Sequence, residues 1–476
     1  MTFNSVSYFL FLPAVYLVHL LVPDRWRWLV LLLASYGFYA SLKAPYLPAV
    51  LLAVTALSYA CGLRIASQTD EADRRRWFWS GTIACVAILA LLKYLPFLEA
   101  QATGFLGLGS ALSFTIVSVG VSYFTFQAIS YLADIYLEIE EPERHFGRFA
   151  LYLAFFPKLL QGPIERAGDL LPQLREPFRF DSAAMRAGLL LFARGLFKKV
   201  MVADRLAPYA DQVYNNAHDY TGLAVMIGTY AYALQIYFDF SGYTDMARGT
   251  GRLFGINLTE NFNRPYGATS IADFWRRWHI SFSRWILDYI FKPLQMAWRN
   301  RGQAGTAAAL VVTFLVSGIW HGATWGFVIW GLLHGIYLAA STYYRPYQKK
   351  AHKWLGIEKS RLLRWWQVFV TFNLVSFAWV FFRAKSLDTA CTLVAHLVRG
   401  SSADTLRRLL LLSGRDELVV LLLSAGVLTL YERGGLGERL PAYPAYARYV
   451  FYWFIVLGIL LYGKLFSNSL FLYQAF

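Results

Sequence analysis

One histidine in the sequence lies in an apolar run where an imidazole would have to be used or paired. His321 lies in the segment 315–325, and Gly318 and Gly322 flank it. An imidazole inside a membrane span is rare because it costs stability unless it has a function or a partner. Glycines allow a close backbone approach or a break in a helix. We therefore consider His321 a candidate catalytic base, with a structural histidine as the alternative, and we expect His334 to be structural.

A second histidine, His279, lies in a block that is rich in tryptophan and arginine. The segment 273–285 reads Asp-Phe-Trp-Arg-Arg-Trp-His-Ile-Ser-Phe-Ser-Arg-Trp. On a helix, residues spaced by three and four lie on one face. The residues that would share this aromatic face are Trp275, Trp278, Phe282 and Trp285.

Two interpretations of this block remain open. A helix that lies in the membrane interface needs an aromatic face towards the lipid and a basic face on its other side, as this block would have. Alternatively, Arg276 and Arg277 bind the phosphates of a coenzyme, because guanidinium groups bind phosphate bidentately. Trp275 and Trp278 would then lie beside that ligand. His279 is a candidate acid or base, because a partly buried neutral imidazole can exchange a proton.

Two carboxylates, Asp239 and Asp245, lie six residues apart in an apolar segment. Charged groups at membrane depth are costly, so a functional role is the default interpretation. Ion pairs with Arg248 or Arg252 would explain them equally well. The sequence leaves both possibilities open.

The elements that must position these residues are apolar helices. Hydrophobic residues make up 57% of the 476 residues and charged residues only 16%, whereas about 25% charge is usual in soluble domains. Backbone polar groups in lipid must be satisfied within each segment, which favours helices. We predict an all-α polytopic membrane protein, one membrane domain over residues 1–476, with about 11–13 transmembrane or re-entrant helices. The predicted segments lie near 6–22, 26–43, 46–62, 77–97, 113–136, 149–160, 184–206, 222–243, 307–320, 324–342, 365–384, 416–431 and 449–466.

The formal net charge of +16 does not indicate a nucleic-acid partner in such a chain. Lysine and arginine gather in loops that face anionic membrane lipids on the cytoplasmic side. Arg25, Arg64 and Arg148 each follow an odd-numbered early segment, whereas residues 98–112 contain no basic residue. This alternation predicts that both termini lie outside the cytoplasm.

The sequence resembles the membrane-bound O-acyltransferase family, and within it the alginate O-acetyltransferase branch. Peptidoglycan and cellulose acetyltransferases and D-alanyl teichoic-acid transferases are relatives of that branch. The resemblance covers about three quarters of the chain, and the segment 295–301 departs from the family's pattern, so the polymer stays open. The blocks that carry it are 119–127, 155–164, 237–246, 260–266, 274–283 and 320–322.

The resemblance implies a multi-pass protein of the bacterial inner membrane, with periplasmic termini and helices around a central tunnel. His321 would be the catalytic histidine in that tunnel and His279 the second functional histidine. The donor would be a cytoplasmic acyl-CoA, most simply acetyl-CoA, with no bound cofactor or metal. The acceptor side would be a periplasmic SGNH-type acetyltransferase or a polysaccharide.

The C-terminal residues 471–476 read Phe-Leu-Tyr-Gln-Ala-Phe. They are similar to the family's aromatic terminal motif, in which a tyrosine carries the acyl group. The resemblance therefore implies that Tyr473 is an acyl carrier. An aromatic belt at the membrane interface is the alternative explanation.

A different class of protein would use the same buried polar residues. In an ion- or proton-coupled transporter, Asp239, Asp245 and His321 would form an ion path. We find none of the internal repeats that would favour a transporter. A scaffold for polysaccharide export would leave His321 without a function, and thioester cleavage separates the enzyme from both alternatives.

Overall fold

Helices account for all the regular secondary structure in the described part of the chain. The computed structural model describes residues 1–42, 44–106, 118–433, 442–465 and 471–472. Seven of the helices there are long and apolar enough to cross a membrane. The predicted all-α polytopic membrane protein is thus confirmed, whereas the central tunnel stays a prediction. These seven segments are Tyr46–Ser67, Glu71–Tyr94, Leu223–Leu253, Arg299–His321, Trp325–Trp354, Arg361–Arg383 and Ala445–Tyr462.

The helices before residue 216 differ widely in length, from four residues to 36. They are α1 (Val6–Leu21), α2 (Asp24–Ala40), α3 (Tyr46–Ser67), α4 (Glu71–Leu106), α5 (Val121–Tyr136), α6 (Phe146–Ala154), α7 (Phe156–Leu159), α8 (Ala167–Arg175), α9 (Ser182–Phe197) and α10 (Asp204–Asn215). A π-helical segment, Lys198–Ala203, joins α9 to α10.

The remaining helices contain the candidate site residues. They are α11 (Leu223–Leu253), α12 (Ile271–Trp275), α13 (Ile280–Ile286), α14 (Lys292–Ala297), α15 (Gly302–His321), α16 (Trp325–Trp354), α17 (Arg361–Arg383), α18 (Leu387–His396), α19 (Ala403–Leu410), α20 (Arg415–Arg433) and α21 (Ala445–Tyr462). Residues Leu287–Phe291 form a second π-helical segment.

The described residues fall into two compact units. The first unit comprises residues 1–192, 246–261 and 281–290, and the second comprises residues 193–245, 262–280 and 291–476. The boundaries fall inside α9 and α11. A single domain over residues 1–476 stays a prediction.

Serine residues begin several of these helices by satisfying a free backbone N–H. The side-chain oxygen of Ser5 accepts from the amide of Tyr8 at 3.3 Å, at the start of α1. Ser270 accepts in the same way from the amide of Asp273 at 3.1 Å, at the start of α12. These caps fix the helix starts independently of the apolar runs that follow.

The structure differs from the sequence prediction in two apolar segments. The predicted segment 149–160 is divided at Phe155, whose extended ψ of 108° separates α6 from α7. Pro157 follows, and a proline lacks the N–H that would continue the earlier helix. The predicted segment 184–206 is not one regular α-helix, because residues Lys198–Ala203 within it are π-helical. The first residues of the predicted segment 113–136 lie outside the described residues, and α5 begins after Gly120, whose φ is +79°.

Within the second unit, α15 and α16 approach each other at two glycines. A Cβ atom at Gly318 would lie 2.4 Å from the carbonyl oxygen of Phe327, and one at Gly331 would lie 2.4 Å from that of Phe314. Either contact is too short to exist, so only glycine permits this spacing. Small residues allow such close backbone packing in membrane proteins.

Candidate functional site

His321 is the last residue of α15, in the second unit, and its side chain is buried. Aromatic rings surround the imidazole. The ring centroids lie 4.4 Å from Trp320, 5.0 Å from Trp330 and 4.9 Å from Phe382. Gly322 follows with an extended backbone and ends the helix. The partial negative charge at a helix C-terminus stabilises the positive charge that forms when this imidazole takes a proton.

His279 is also buried in the second unit, between α12 and α13. Its ring meets Phe240 edge to face at 4.8 Å. Burial lowers the pKa of His279 to about 3, so the imidazole is neutral near pH 7. Its φ of +43° lies in the left-handed region, which residues other than glycine rarely adopt.

This backbone turn corrects the expected continuous helix over residues 273–285. The chain leaves α12 after Trp275 and re-enters a helix only at Ile280. A residue in the left-handed region cannot continue a right-handed helix, so the aromatic residues on either side do not share one helix face. In the described structure they belong to different units.

The four aromatic side chains are buried, which a helix lying in the interface would not require. The Trp275 indole donates to Nδ1 of His334 at 3.2 Å. The Trp278 ring packs 5.2 Å from Trp379. In the first unit, the Trp285 indole donates to the carbonyl oxygen of Phe126 at 2.9 Å. These rings build the cores of their units, and a coenzyme-binding role for Trp275 and Trp278 stays a prediction.

A basic cavity of about 540 Å³ lies within the second unit. Arg277 is a lining residue, and its Nε donates to Asp273 at 3.0 Å. The side chain of Arg276 is 68% exposed, against 33% for Arg277, and it does not line this cavity. The structure therefore separates the two arginines that the sequence treats as a pair. The other charged and aromatic lining residues are Arg264, Arg361, Arg364, Glu432, Tyr237, Phe238, Tyr266 and Trp365.

The buried carboxylates of α11 form ion pairs, but not with the expected arginines. Asp245 accepts from Arg194 at 2.9 and 2.7 Å and lies 3.0 Å from Lys198. Asp239 accepts from Nζ of Lys199 at 2.7 Å. The cations come from α9 and the π-helical segment rather than from the same helix.

Arg248, one of the two expected partners, is directed elsewhere. It donates to the carbonyl oxygen of Leu258 at 3.3 Å and lies 3.6 Å from Glu260. The expected pairing therefore failed because tertiary packing brings a different helix to the carboxylates.

The C-terminal segment is held at one of these carboxylates. The backbone N–H of Leu472 donates to Oδ2 of Asp239 at 2.8 Å. The buried ring of Phe471 meets Tyr243 edge to face at 5.2 Å, and Nζ of Lys199 lies 4.5 Å from its centroid. Tyr473 lies outside the described residues, directly after this anchor.

Sequence reasoning missed part of the basic cavity and of the anchor. Arg361 and Arg364 were not among the predicted site residues, although their spacing of three places them on one helix face with Trp365 nearby. The pairing of Lys199 with Asp239 gave no local signal, because the two residues lie 40 positions apart. Among the residues that the structure describes, no group of three His, Cys, Asp or Glu side chains is arranged to hold a metal ion.

Comparison with known proteins identifies the family. The profile of MBOAT, the membrane-bound O-acyltransferase family, matches residues 139–383. The chain is 40% identical to the probable alginate O-acetylase of Azotobacter vinelandii, over 83% of this chain and 78% of that protein. It is 35% identical to the peptidoglycan O-acetyltransferase of Helicobacter pylori, over 82% and 76%. It is 26% identical to the teichoic acid D-alanyltransferase of Bacillus subtilis, over 56% and 69%. The chain therefore belongs to the membrane-bound O-acyltransferase family.

Proposed function

We propose that this O-acyltransferase takes an acetyl group from acetyl-CoA at the cytoplasmic side of the bacterial inner membrane and delivers it for O-acetylation of an envelope polysaccharide. The observation that carries the proposal is the position of His321. It is a buried imidazole at a helix C-terminus, inside the residues that match the family. The relatives named for alginate and peptidoglycan O-acetylation support a polysaccharide acceptor.

The basic cavity supports a coenzyme A thioester as the donor. Four arginines line it together with four aromatic rings. Guanidinium groups bind phosphates, and aromatic rings offer stacking surfaces for an adenine base. A cavity of about 540 Å³ has the size usual for small-molecule sites. Arg277 is the predicted coenzyme ligand that lines it.

His321 would act as the general base of the transfer. An imidazole nitrogen takes the proton of the attacking hydroxyl as its oxygen bonds to the thioester carbonyl carbon. Collapse of the tetrahedral intermediate breaks the C–S bond, and the imidazolium returns the proton to the leaving thiolate. The products are an ester and free coenzyme A. His279, neutral and buried, would orient a reacting group by hydrogen bonding.

The attacking hydroxyl would belong to Tyr473 or to an acceptor sugar. The relay through Tyr473 is supported by the anchor of Leu472, the residue before it, at Asp239 of the second unit. A tyrosyl ester formed there would be passed to a periplasmic SGNH-type acetyltransferase that acylates the polymer. In the direct route the sugar itself would reach His321.

The transporter alternative is not favoured. Its proposed ion path used Asp239 and Asp245, and both carboxylates are already neutralised by buried cations. An ion pair of this kind serves structure without requiring transport. Membership of an acyltransferase family also favours an enzyme over a transporter.

His321→Ala should lower thioester-dependent acylation by at least roughly 10²-fold, because the general base is lost. The measurement is release of free coenzyme A and ester content of the polymer, with thermal unfolding in detergent as the folding check. His218→Ala removes an exposed histidine and is the matched control. Normal ester content in the His321 variant would rule out the assigned base.

His279→Phe should lower activity by a similar factor at every pH from about 6 to 9, because a histidine with a pKa of about 3 does not titrate in that range. The free energy of unfolding, in contrast, should depend on His279 only at acidic pH. The unfolded chain binds a proton near pH 6.5 that the folded chain refuses, so wild-type stability falls as pH drops from about 6.5 towards 3. The variant should lose less stability over that window. Wild-type activity throughout would leave His279 a packing role only.

Arg277→Gln should weaken acetyl-CoA binding roughly tenfold, the value of a charge-assisted hydrogen bond. The difference in affinity between the variant and the wild type should become smaller as the salt concentration rises, because salt screens the attraction between Arg277 and the anionic ligand in the wild type. Arg276→Gln is the matched control, since this exposed side chain should change binding by less than about threefold. Equal losses in the two variants would contradict a site in the cavity. Equilibrium binding to the purified protein is the measurement.

Tyr473→Phe tests the relay, because it keeps the ring and removes the nucleophilic oxygen. The relay predicts loss of polymer ester with unchanged acetyl-CoA binding. Wild-type protein supplied with acetyl-CoA alone should gain one acetyl mass on its C-terminal peptide, and Tyr473→Phe should not. Tyr446→Phe changes an exposed tyrosine and should retain both signals. Full polymer acetylation by Tyr473→Phe would favour direct transfer to the sugar.

A further inference from the structure

A second basic cavity, here called the arginine pocket, lies entirely within the first unit. Its volume is about 660 Å³, and its wall is built from the end of α1, the start of α2 and the segment after α8. Five arginines line it against two carboxylates, Asp24 and Glu176. The arginines are Arg25, Arg27, Arg148, Arg175 and Arg179. The proposed acyl transfer uses none of them.

Two of these arginines already have internal partners and build the wall. Arg27 pairs with Asp24, and its Nε donates to the carbonyl oxygen of His19 at 3.0 Å. Arg175 donates to Oε2 of Glu143 at 3.0 and 2.7 Å. Their guanidinium groups are therefore fixed in place, and they contribute positive potential rather than free donors.

The remaining donors are available to a ligand. In the described part of the chain, the side chains of Arg25 and Arg179 have no hydrogen-bond or ion-pair partner, and Nε of Arg148 is buried without an acceptor. The strongest sign is His19, which lines the pocket and is only 2% exposed. Neither of its ring nitrogens has a hydrogen-bond partner among the described residues. A buried polar group without a partner costs free energy that a bound acceptor would recover.

Exposed apolar residues flank the pocket segments in the chain and are here called the apolar edge. Leu21 is 83% exposed, Trp26 is 48% exposed and Phe180 is 59% exposed, and each is a chain neighbour of a pocket segment. Aromatic side chains next to arginines are typical of the membrane interface, where rings lie at headgroup depth. The distribution of basic residues predicts the cytoplasmic side, where anionic lipids collect.

We propose that the arginine pocket binds the phosphate of an anionic phospholipid headgroup. Arg148 and Arg179 would donate to the phosphate oxygens, and the ring N–H of the neutral His19 imidazole would donate as well. The apolar edge residues would contact the first carbons of the acyl chains. A soluble phosphate compound shares the phosphate chemistry but has no use for that edge, which is why the lipid is the assigned source.

The test is binding of phosphatidylglycerol with a fluorescent acyl chain to the full chain in detergent micelles, measured by energy transfer from tryptophan. Phosphatidylcholine with the same chain is the reference lipid. The wild type should prefer phosphatidylglycerol, and the preference should weaken with salt. Arg148→Gln with Arg179→Gln should weaken phosphatidylglycerol binding roughly tenfold or more, since charge-assisted hydrogen bonds are lost.

Two further variants keep the result interpretable. Arg75→Gln with Arg144→Gln removes the same charge from exposed positions outside the pocket and should change binding by less than about threefold. His19→Phe keeps the ring contacts with Phe178 and Phe254, at 5.1 and 5.3 Å, and removes only the donor. It should fold normally and lose affinity for phosphatidylglycerol, even if the double arginine variant fails to fold.

Two outcomes would overturn the proposal. Equal binding by the wild type, the pocket variants and the control would show that the lipid binds elsewhere. Displacement of the lipid by inorganic phosphate at equal concentration, with the same protection against thermal unfolding, would assign the pocket to a soluble phosphate compound.

Discussion

A charge in the interior of a membrane protein is stable only beside an opposite charge, and the second unit is organised around that constraint. Lys198 and Lys199 are buried on the π-helical segment, opposite Asp245 and Asp239 on α11. Removing one member of such a pair leaves the other uncompensated, at a cost of about 3–5 kcal/mol. Both lysines belong to the π-helical segment, and from neighbouring positions in it they reach two carboxylates that lie six residues apart on α11. The C-terminal segment is anchored at Asp239, one of these two carboxylates, through the backbone N–H of Leu472.

The fold class was predictable because it depends on local signals. Long apolar runs such as 46–62 and 222–243 require helices wherever water is absent, and the structure places α3 and α11 there. The burial of His321 in an apolar helix was predictable for the same reason, since a polar residue in an apolar run is visible in the sequence, whereas its catalytic role stays a prediction. The partners of Asp239 and Asp245 were not predictable, because they depend on which helix packs alongside α11. The basic cavity likewise combines residues from 234 to 432, and no window of the sequence contains them together.

His279 shows a second limit of sequence reasoning. Its neighbours have helical spacing, and nothing in the sequence marks a positive φ at a histidine. The tertiary structure overrides the local preference, and such overrides concentrate at functional sites. Burial removes the imidazole from water, so its pKa of about 3 lies well below that of an exposed histidine. In the proposed reaction His279 would therefore act as a neutral hydrogen-bonding group rather than as a charge.

The glycine contact between α15 and α16 has a mechanical consequence. Side chains between two helices can change rotamer and let the helices slide, but Gly318 and Gly331 place backbone directly against backbone. Neither helix can rotate or advance by a turn without a collision of main-chain atoms. We therefore expect α15 and α16 to move as one rigid body, which would keep the imidazole of His321 at its distance from the Trp330 ring. If His321 is the base, as proposed, a gate that admits the donor would be formed by other segments, and the imidazole would be the fixed point of that movement.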